Sequence, residues 1–173
     1  MRTKIITLMA MIFLLGSHLV KADLVFDSGY NTFDDDDPYY AEVWVINYAQ
    51  LDVLGGEMGK LEFQDSSIGN IFGGEIGGLW TGNNVVVNIY GGTLNELACF
   101  PDSLVYLFAY DVTFHPPDGA HNDPWLEGKY LNDGTLFSFE FYDDDCIPQL
   151  HVVPEPMTLL LLGLGGLLIR NRN

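Results

Sequence analysis

The sequence predicts an all-β protein: a short β-solenoid with coils of about 18 residues over positions 51–122, capped by a C-terminal β-hairpin. Pairs of glycines recur every 18 residues, apolar residues keep one phase on both sides of each pair, and β-branched or aromatic residues fill the intervals. A fixed short period of this kind is typical of solenoids, whose coils stack about 4.8 Å apart. An antiparallel meander with Gly-Gly turns is the alternative, but it requires no common phase between alternate turns.

The glycine pairs mark the predicted corners of the coils. They occur in three segments 18 residues apart and are missing from a fourth: LGGEM (54–58), FGGEI (72–76), YGGTL (90–94) and FAYDV (108–112). At a corner the chain turns with a positive φ, and a side chain would collide with the neighbouring coil. We therefore expect Gly55, Gly73 and Gly91 to stack in one column.

Apolar residues at the same 18-residue spacing define four columns that we expect to stack inside the solenoid. The columns are Val53, Ile71, Ile89 and Leu107; Met58, Ile76, Leu94 and Val112; Leu61, Leu79 and Leu97; and Ile68, Val86 and Leu104. A polar column is expected on the outer face of the same strands, and it contains Asp52, Asn70, Asn88 and Tyr106.

The segments on either side of the repeats are predicted to cover the open ends of the solenoid. Residues 23–50 form the N-terminal cap region, which includes an acidic turn at Asp34–Asp37. Residues 123–152 form the C-terminal cap, a hairpin with strands at 125–132 and 136–141 around the turn Asp133-Gly134. Such caps protect the edge strands, which otherwise promote aggregation.

The chain is strongly acidic, with 24 Asp and Glu against 7 Lys and Arg and a formal net charge of −17. Only Lys60 and Lys129 are basic between residues 23 and 153, so this middle part carries a formal charge of about −21. A field of this sign repels nucleic acid and anionic surfaces, which excludes a nucleic-acid-binding function.

The two cysteines of the chain, Cys99 and Cys146, form a possible disulfide. After export they would meet an oxidising compartment, and a disulfide closing this loop would stabilise the fold by about 4 kcal/mol in the chain-entropy model. Two unrelated buried thiols are the alternative, and the sequence leaves both possibilities open.

Residues 1–22 are predicted to be a secretory signal peptide. Arg2 and Lys4 form its basic start, an apolar stretch covers 5–16, and residues 20–22 (VKA) place small or aliphatic side chains before the cut. Cleavage by signal peptidase is expected between Ala22 and Asp23, after passage through the Sec machinery. The apolar stretch is too short for the span of about 20 residues that a transmembrane helix needs.

A second apolar segment, MTLLLLGLGGLLI, occupies residues 157–169 and is followed by RNRN. As a helix it would be about 20 Å long, against a hydrocarbon core of about 30 Å. A buried helix of a globular domain is the alternative, but the segment has no polar face. We expect hydrophobic helices at both ends of the chain, and only transient membrane contact through 157–169.

The motif Val153-Pro154-Glu155-Pro156, the Leu/Gly-rich segment and the basic end together resemble the PEP-CTERM sorting signal over residues 153–173. The VNIYGGTL-type coils, YDVTFHPPDG and DGTLFSFEFY also resemble short acidic, repeat-containing PEP-CTERM proteins of planctomycete-like bacteria. The resemblance implies an exosortase-type protease that cuts near Pro154, Glu155 and Pro156, and delivery to the cell surface or an exopolysaccharide matrix. It implies no assigned activity.

Candidate metal ligands are few, and we assign no metal, cofactor or catalytic residue. His115 and His121 share a loop with Asp118 and Asp123, but two histidines six residues apart without a third partner are usually solvated. Asp34–Asp37 and Asp143–Asp145 offer oxygen ligands for calcium, although adjacent carboxylates cannot all converge on one ion. The sequence contains no serine-hydrolase, zinc-protease or phosphate-binding motif.

These observations predict an exported, non-catalytic protein of the cell surface or the exopolysaccharide matrix. A carbohydrate-binding module is the alternative, with Trp44, Trp80, Tyr90 or Trp125 as platforms for sugar rings. A β-helix carbohydrate-active enzyme is a further alternative, because paired carboxylates can hydrolyse glycosides. An aligned and exposed row of aromatic rings would favour the binding module.

Overall fold

The computed structural model describes residues 23–118, 122–142 and 144–154. The predicted signal peptide and both predicted terminal hydrophobic helices lie outside these residues. The described part is all-β, as predicted. Its strands are β1 (Leu24–Phe26), β2 (Tyr30–Phe33), β3 (Tyr40–Val45), β4 (Gln50–Val53), β5 (Glu57–Phe63), β6 (Ile68–Ile71), β7 (Glu75–Thr81), β8 (Val86–Ile89), β9 (Thr93–Cys99), β10 (Leu104–His115), β11 (Trp125–Tyr130), β12 (Leu136–Phe141) and β13 (Leu150–Val153).

The strands form two parallel stacks, which confirms the solenoid. Sheet A contains β1, β3, β5, β7, β9 and β12, and sheet B contains β2, β4, β6, β8, the first half of β10, and β13. Each coil contributes one strand to each sheet, and the core lies between the two sheets. Parallel pairing of every second strand excludes the antiparallel meander, in which neighbouring strands follow one another along the chain.

The inner columns are stacked in register at the predicted spacing. Each of the following residues is at most 5 % exposed: Leu61, Leu79 and Leu97; Met58, Ile76 and Leu94; and Val53, Ile71, Ile89 and Leu107. Burial of one aliphatic side chain contributes roughly 2 kcal/mol, so these columns are the main stabilising feature of the fold.

The predicted inward orientation of the fourth column is wrong. Ile68, Val86 and Leu104 are paired in register, but they lie on the outer face of sheet B, and Ile68 is 41 % exposed. Strand residues alternate between faces, so Ile68 cannot point to the same side as the buried Ile71, three positions later. By the same alternation the polar column lies outside, as predicted; it contains Asp52, Asn70, Asn88 and Tyr106.

The corner turns explain the glycine pairs. The second glycine has a positive φ, which is 80° at Gly56, 90° at Gly74 and 95° at Gly92. The first glycine has no room for a side chain, because a Cβ on Gly73 would lie 2.6 Å from the carbonyl oxygen of Leu54 in the preceding coil. Coils therefore stack closely only where both positions lack a Cβ.

The solenoid changes direction where the glycine pair is missing. Ala109 and Tyr110 occupy the corner positions after β10 begins, so this strand does not turn but continues to His115. Its second half pairs antiparallel with β11, β11 pairs antiparallel with β12, and β12 returns to sheet A beside β9. Val112, predicted in the inner column of Met58, therefore lies where the β10–β11 register shifts and is only partly buried.

The solenoid is longer than the repeats indicate. Within the predicted N-terminal cap region, β1 and β2 already stack in parallel on β3 and β4. At the other end, β12 and β13 add one strand to each sheet, although a 3-10 helix (Asp144–Gln149) separates them. The spacing at the first coil also departs from 18 residues, since Leu24 pairs with Val43 and Tyr30 with Gln50, so the period alone does not reveal this coil.

Gly74→Ala should unfold at a lower urea concentration than Gly29→Ala. Both glycines have a positive φ, 90° and 73°, so alanine costs each about 1–2 kcal/mol in backbone strain. A Cβ on Gly74 would also lie 2.8 Å from the carbonyl oxygen of Gly55, whereas nothing lies within 4 Å of a Cβ on Gly29. We expect a further loss of about 2 kcal/mol for Gly74→Ala. Equal urea midpoints would contradict the close packing of the corners.

Candidate functional site

The predicted processing residues lie at the borders of the fold. Asp23 is exposed directly before β1, and Pro154 is exposed directly after β13. Ala22, Glu155 and Pro156 lie outside the described residues. The strands of the solenoid therefore occupy the interval between the two predicted cleavage regions.

Cys99 and Cys146 form a disulfide that joins the end of β9 to the 3-10 helix, with Cα atoms 4.6 Å apart. Both residues are buried, at 4 % and 0 % exposure. The closed loop contains β10, β11 and β12, so the bond ties the C-terminal cap to the solenoid. In the chain-entropy model a loop of this length corresponds to about 4 kcal/mol of stabilisation.

The carboxylates of the acidic turn bind backbone amides of the chain itself. The N–H of Asp36 donates to Asp34 Oδ1 and the N–H of Asp34 donates to Asp37 Oδ2, each at 2.9 Å. Asp35 Oδ1 accepts the N–H of Gly56 at 2.6 Å, which fastens the turn to a corner of the next coil. The run of aspartates therefore has a structural role in this turn. Asp143, in the second acidic run, lies outside the described residues.

His115 is stacked on Trp125, with ring centroids 3.8 Å apart, and its Nε2 lies 3.1 Å from Glu127 Oε1. This contact joins β10 to β11 and covers one face of the Trp125 ring. The predicted partner of His115, His121, lies outside the described residues. Among the residues that the structure describes, no three His, Cys, Asp or Glu side chains are grouped so that they could hold a metal ion.

Tyr90 belongs to a column of stacked aromatic rings beside the Gly-Gly corners. Its ring centroid lies 4.9 Å from that of Phe72 and 4.2 Å from that of Phe108, with interplanar angles of 5° and 20°. The rings cover one another's faces, so mainly their edges face the solvent. An aligned aromatic row exists, but it does not offer the ring faces on which a sugar would stack.

Trp44 and Trp80 line a shallow groove on the outer face of sheet A, called here the tryptophan groove. Trp44, Glu62 and Trp80 are paired in register on β3, β5 and β7, so the two indoles lie two coils, or about 10 Å, apart. The groove has a volume of about 370 Å³, and its other lining residues are Lys60, Gln64, Asp65, Gly82, Asn83 and Phe100.

Lys60 and Glu62 form the polar floor of the tryptophan groove. Lys60 Nζ lies 2.5 Å from Glu62 Oε2, and 4.3 and 5.0 Å from the ring centroids of Trp80 and Trp44. Glu62 is 8 % exposed, and its Oε1 accepts a hydrogen bond from the Gln64 amide. A buried carboxylate needs a nearby cation, and each indole adds a cation–π attraction of about 1 kcal/mol to the same ammonium group.

The tryptophan groove combines aromatic surface with hydrogen-bond donors and acceptors. Lys60, Gln64 and Asn83 supply donors, and the Asp65 carboxylate is an acceptor. The apolar rim continues through Phe100, which is half-exposed, and Tyr142, whose ring lies 5.3 Å from that of Trp80. This combination suits an uncharged, hydroxyl-rich ligand, because its apolar faces can contact the rings while its hydroxyl groups bind the polar side chains.

The sequence analysis identified Trp44 and Trp80 but missed the residues between them. The signal was available, since Trp44, Glu62 and Trp80 are 18 residues apart and the period can be extended backwards by one coil. Interpreting residues 23–50 as a cap hides this column. Neither Lys60 nor Phe100 belongs to a column of like residues, so the repeat gives no signal for either.

Shifted pKa values occur at titratable groups away from the tryptophan groove. Burial raises the pKa of the Tyr130 hydroxyl, and the nearby carboxylate of the 130–135 turn adds to the effect. Hydrogen bonds from Thr135 lower the pKa of Asp133. The Asp111 carboxylate raises the pKa of Lys129, and a hydrogen bond to the Asp52 carboxylate likewise raises the pKa of Tyr30.

The chain matches no known protein family, no curated protein and no solved structure. None of the helices in the part of the chain that the structure describes is long and apolar enough to span a membrane.

Lys60→Met should destabilise the protein more than Lys129→Met. Lys60 compensates the nearly buried Glu62, and removal of the cation leaves an unpaired carboxylate, so we expect a loss of about 2–3 kcal/mol. Lys129 pairs with Asp111 at the surface, where solvent screens the pair, so its removal should leave the free energy of unfolding almost unchanged.

Adding Glu62→Gln to Lys60→Met should recover most of that loss, because it removes the unpaired charge. Chemical denaturation of the single and double variants measures these differences. Equal midpoints for the two lysine variants would contradict a buried ion pair in the groove.

Proposed function

We propose that this chain is an exported, non-catalytic protein of the cell surface or the exopolysaccharide matrix, sorted through a C-terminal PEP-CTERM signal. The supporting observation is the position of the fold within the chain. The first strand begins at Leu24, two residues after the predicted cleavage site, and the last strand ends at Val153, directly before Pro154. Removal of both predicted signals would therefore leave every described strand in place.

Two further properties agree with this destination. The disulfide between Cys99 and Cys146 requires an oxidising compartment, which an exported protein reaches. The formal charge of about −21 on residues 23–153 keeps such a protein soluble and in contact with cations of the surrounding matrix.

In this proposal the two apolar ends act only during export. The Sec machinery and signal peptidase remove residues 1–22, and the apolar segment 157–169 delays the chain in the membrane. Only Pro154, Glu155 and Pro156 separate β13 from this segment, a distance of about 10 Å when extended. Proline disfavours helical backbone at the residue before it, so we expect an exosortase-type protease to meet an accessible backbone beside the folded domain.

The double variant Pro154→Ala/Pro156→Ala should remain unprocessed and accumulate in the membrane fraction with its apolar tail. Alanine removes the restraint of the prolines and lets the backbone around Glu155 become helical, which withdraws it from the protease. Pro116→Ala/Pro117→Ala is the matched control, because these exposed prolines lie in the loop after β10, and it should be processed normally. Mass spectrometry of the N- and C-terminal peptides measures the processing of each variant, and wild-type protein should begin at Asp23. Surface protein that still ends in Arg172-Asn173 would overturn the proposal.

A second candidate function, carbohydrate binding, is favoured by the tryptophan groove. Its two indoles lie about two coils apart on a flat sheet, a spacing comparable with the disaccharide repeat of an extended β-1,4-linked polysaccharide. The polar floor between them supplies partners for sugar hydroxyl groups. Surrounding carboxylates disfavour polyuronates, so the ligand class is a neutral polysaccharide.

Trp44→Ala/Trp80→Ala should reduce binding to a neutral β-1,4-glucan by at least about tenfold, or about 1.4 kcal/mol. Affinity electrophoresis in gels containing hydroxyethylcellulose, with alginate as the polyuronate comparison, measures the dissociation constants. Phe72→Ala, an exposed ring on the opposite side of the solenoid, is the control and should bind like wild type. Unchanged retardation of the double variant would exclude the groove, and cleavage of the polysaccharide by wild type would replace binding with enzymatic activity.

A further inference from the structure

The outer face of sheet B contains a strip without charged residues, called here the neutral strip. It is formed by the segments IGNIF (68–72), VVNIY (86–90) and LVYLF (104–108). Its outward side chains form three columns: aliphatic Ile68, Val86 and Leu104, polar Asn70, Asn88 and Tyr106, and aromatic Phe72, Tyr90 and Phe108. Ile68, Phe72 and Leu104 are 41, 43 and 39 % exposed.

The neutral strip contrasts with the rest of the molecule. Residues 23–153 carry a formal charge of about −21, and the outer face of sheet A alone presents Glu42, Glu62, Glu96 and Glu140. An exposed apolar patch with a polar rim is a common mark of an interaction surface. A basic partner would bind the acidic faces in preference, so the occupant of the neutral strip is itself uncharged where it makes contact.

We propose that the neutral strip is the face through which two copies of this chain associate, sheet B against sheet B. Two copies repel each other through every acidic face, and this strip is a described surface where they can meet without bringing carboxylates together. It is present on every copy, so an isologous contact with a two-fold axis needs no other partner.

The arrangement of the columns fits a two-fold contact. Rotation about an axis along the strands and through the middle coil places each column opposite its own copy, so Asn88 faces Asn88 and Asn70 faces Tyr106 of the second copy. The amides already have partners within one chain: Asn88 Nδ2 donates to Asn70 Oδ1 at 2.9 Å, and Asn70 Nδ2 donates to Asp52 Oδ1 at 2.7 Å. Because these amides are already paired, burying them in a contact between two copies leaves fewer polar atoms without hydrogen-bond partners than burying unpaired amides would. This axis also makes the two solenoids antiparallel and keeps the two Asp52 carboxylates apart.

The size of the face predicts a weak, reversible contact. Three coils about 4.8 Å apart and five residues of about 3.3 Å each give a face of about 240 Å². A stable interface buries about 800 Å² per partner, so association through sheet B should be concentration-dependent. Repulsion between two acidic chains opposes it, and salt should therefore strengthen it.

A saccharide fits the neutral strip less well than a second copy. The aromatic rings are stacked at 4.2 and 4.9 Å and cover one another's faces, and the amides are engaged along the polar column.

Sedimentation velocity of the protein purified from cells expressing the full chain tests this proposal. Between about 0.1 M and about 1 M NaCl the Debye length falls from about 10 Å to about 3 Å, and the average mass of wild type should rise towards that of a dimer. Ile68→Asp/Leu104→Asp should remain monomeric at all salt concentrations, because it places four carboxylates in the contact. Thermal unfolding confirms that the variant is folded, since both residues lie on the outer face.

Val25→Asp/Leu136→Asp is the charge-matched control, because these residues are 54 % and 74 % exposed and lie outside sheet B. It should associate like wild type. Wild type that stays monomeric in high salt would overturn the proposal, and so would equal loss of association in both double variants. Growth of wild type into assemblies larger than a dimer would assign the face to a different kind of contact. If wild type stays monomeric and Ile68→Asp/Leu104→Asp is no longer retained by the polysaccharide gel, the partner of the face is a polysaccharide.

Discussion

The stacking of coils in this protein depends on corners that carry no side chain. At Gly73 a Cβ would lie 2.6 Å from the carbonyl oxygen of Leu54, and at Gly74 the φ of 90° adds a conformational requirement. The two glycines of a pair thus serve different purposes: the first permits close approach and the second permits the turn. Where Ala109 and Tyr110 replace them, the chain continues straight, and the parallel solenoid gives way to the antiparallel cap.

Stacking in register determines the surface as well as the core. Position 44 of one coil meets 62 and 80 of the next two, so Trp44, Glu62 and Trp80 become neighbours although no local motif unites them. The same rule collects the neutral residues of sheet B into one strip. Both candidate binding faces are therefore products of the 18-residue phase, and each changes if a coil gains or loses a residue.

The sequence predicts the solenoid, its coil length and most of its inner columns because glycine corners and alternating strands leave a periodic record. It does not predict the first coil, where the loops differ in length and Tyr30 pairs with Gln50, 20 positions later. It also misplaces Ile68, since the column analysis treats all apolar repeats as inward although strand alternation sends this one outward. The pairing of β12 with β9 follows from the path of the β10–β11 extension, and no short-range pattern encodes that path.

The same holds for the candidate sites: the sequence reveals residue types and local runs, but not the contacts between residues that are distant along the chain. The aspartates at 34–37 suggest a calcium site by composition. In the structure, however, the carboxylates of Asp34, Asp35 and Asp37 accept hydrogen bonds from backbone amides of the turn or of the neighbouring corner. Together with Tyr90 and Trp125, Trp44 and Trp80 are proposed as platforms for sugar rings from residue type alone. Their connection through Lys60 depends on β5 lying between β3 and β7, which only the fold supplies.

Repulsion between like charges explains why apolar columns repeat from coil to coil whereas columns that contain acidic residues are interrupted. Carboxylates on adjacent coils lie about 5 Å apart and repel each other by about 1 kcal/mol even in a dielectric like that of water. Glu57 over Glu75 and Glu96 beside Glu140 are such pairs, but other acids are separated: Glu42 meets Lys60, and Asp52 meets Asn70. Apolar columns carry no such penalty and can repeat indefinitely. A solenoid this acidic must therefore distribute its carboxylates between turns and interrupted columns, and a continuous neutral strip is the surface that remains.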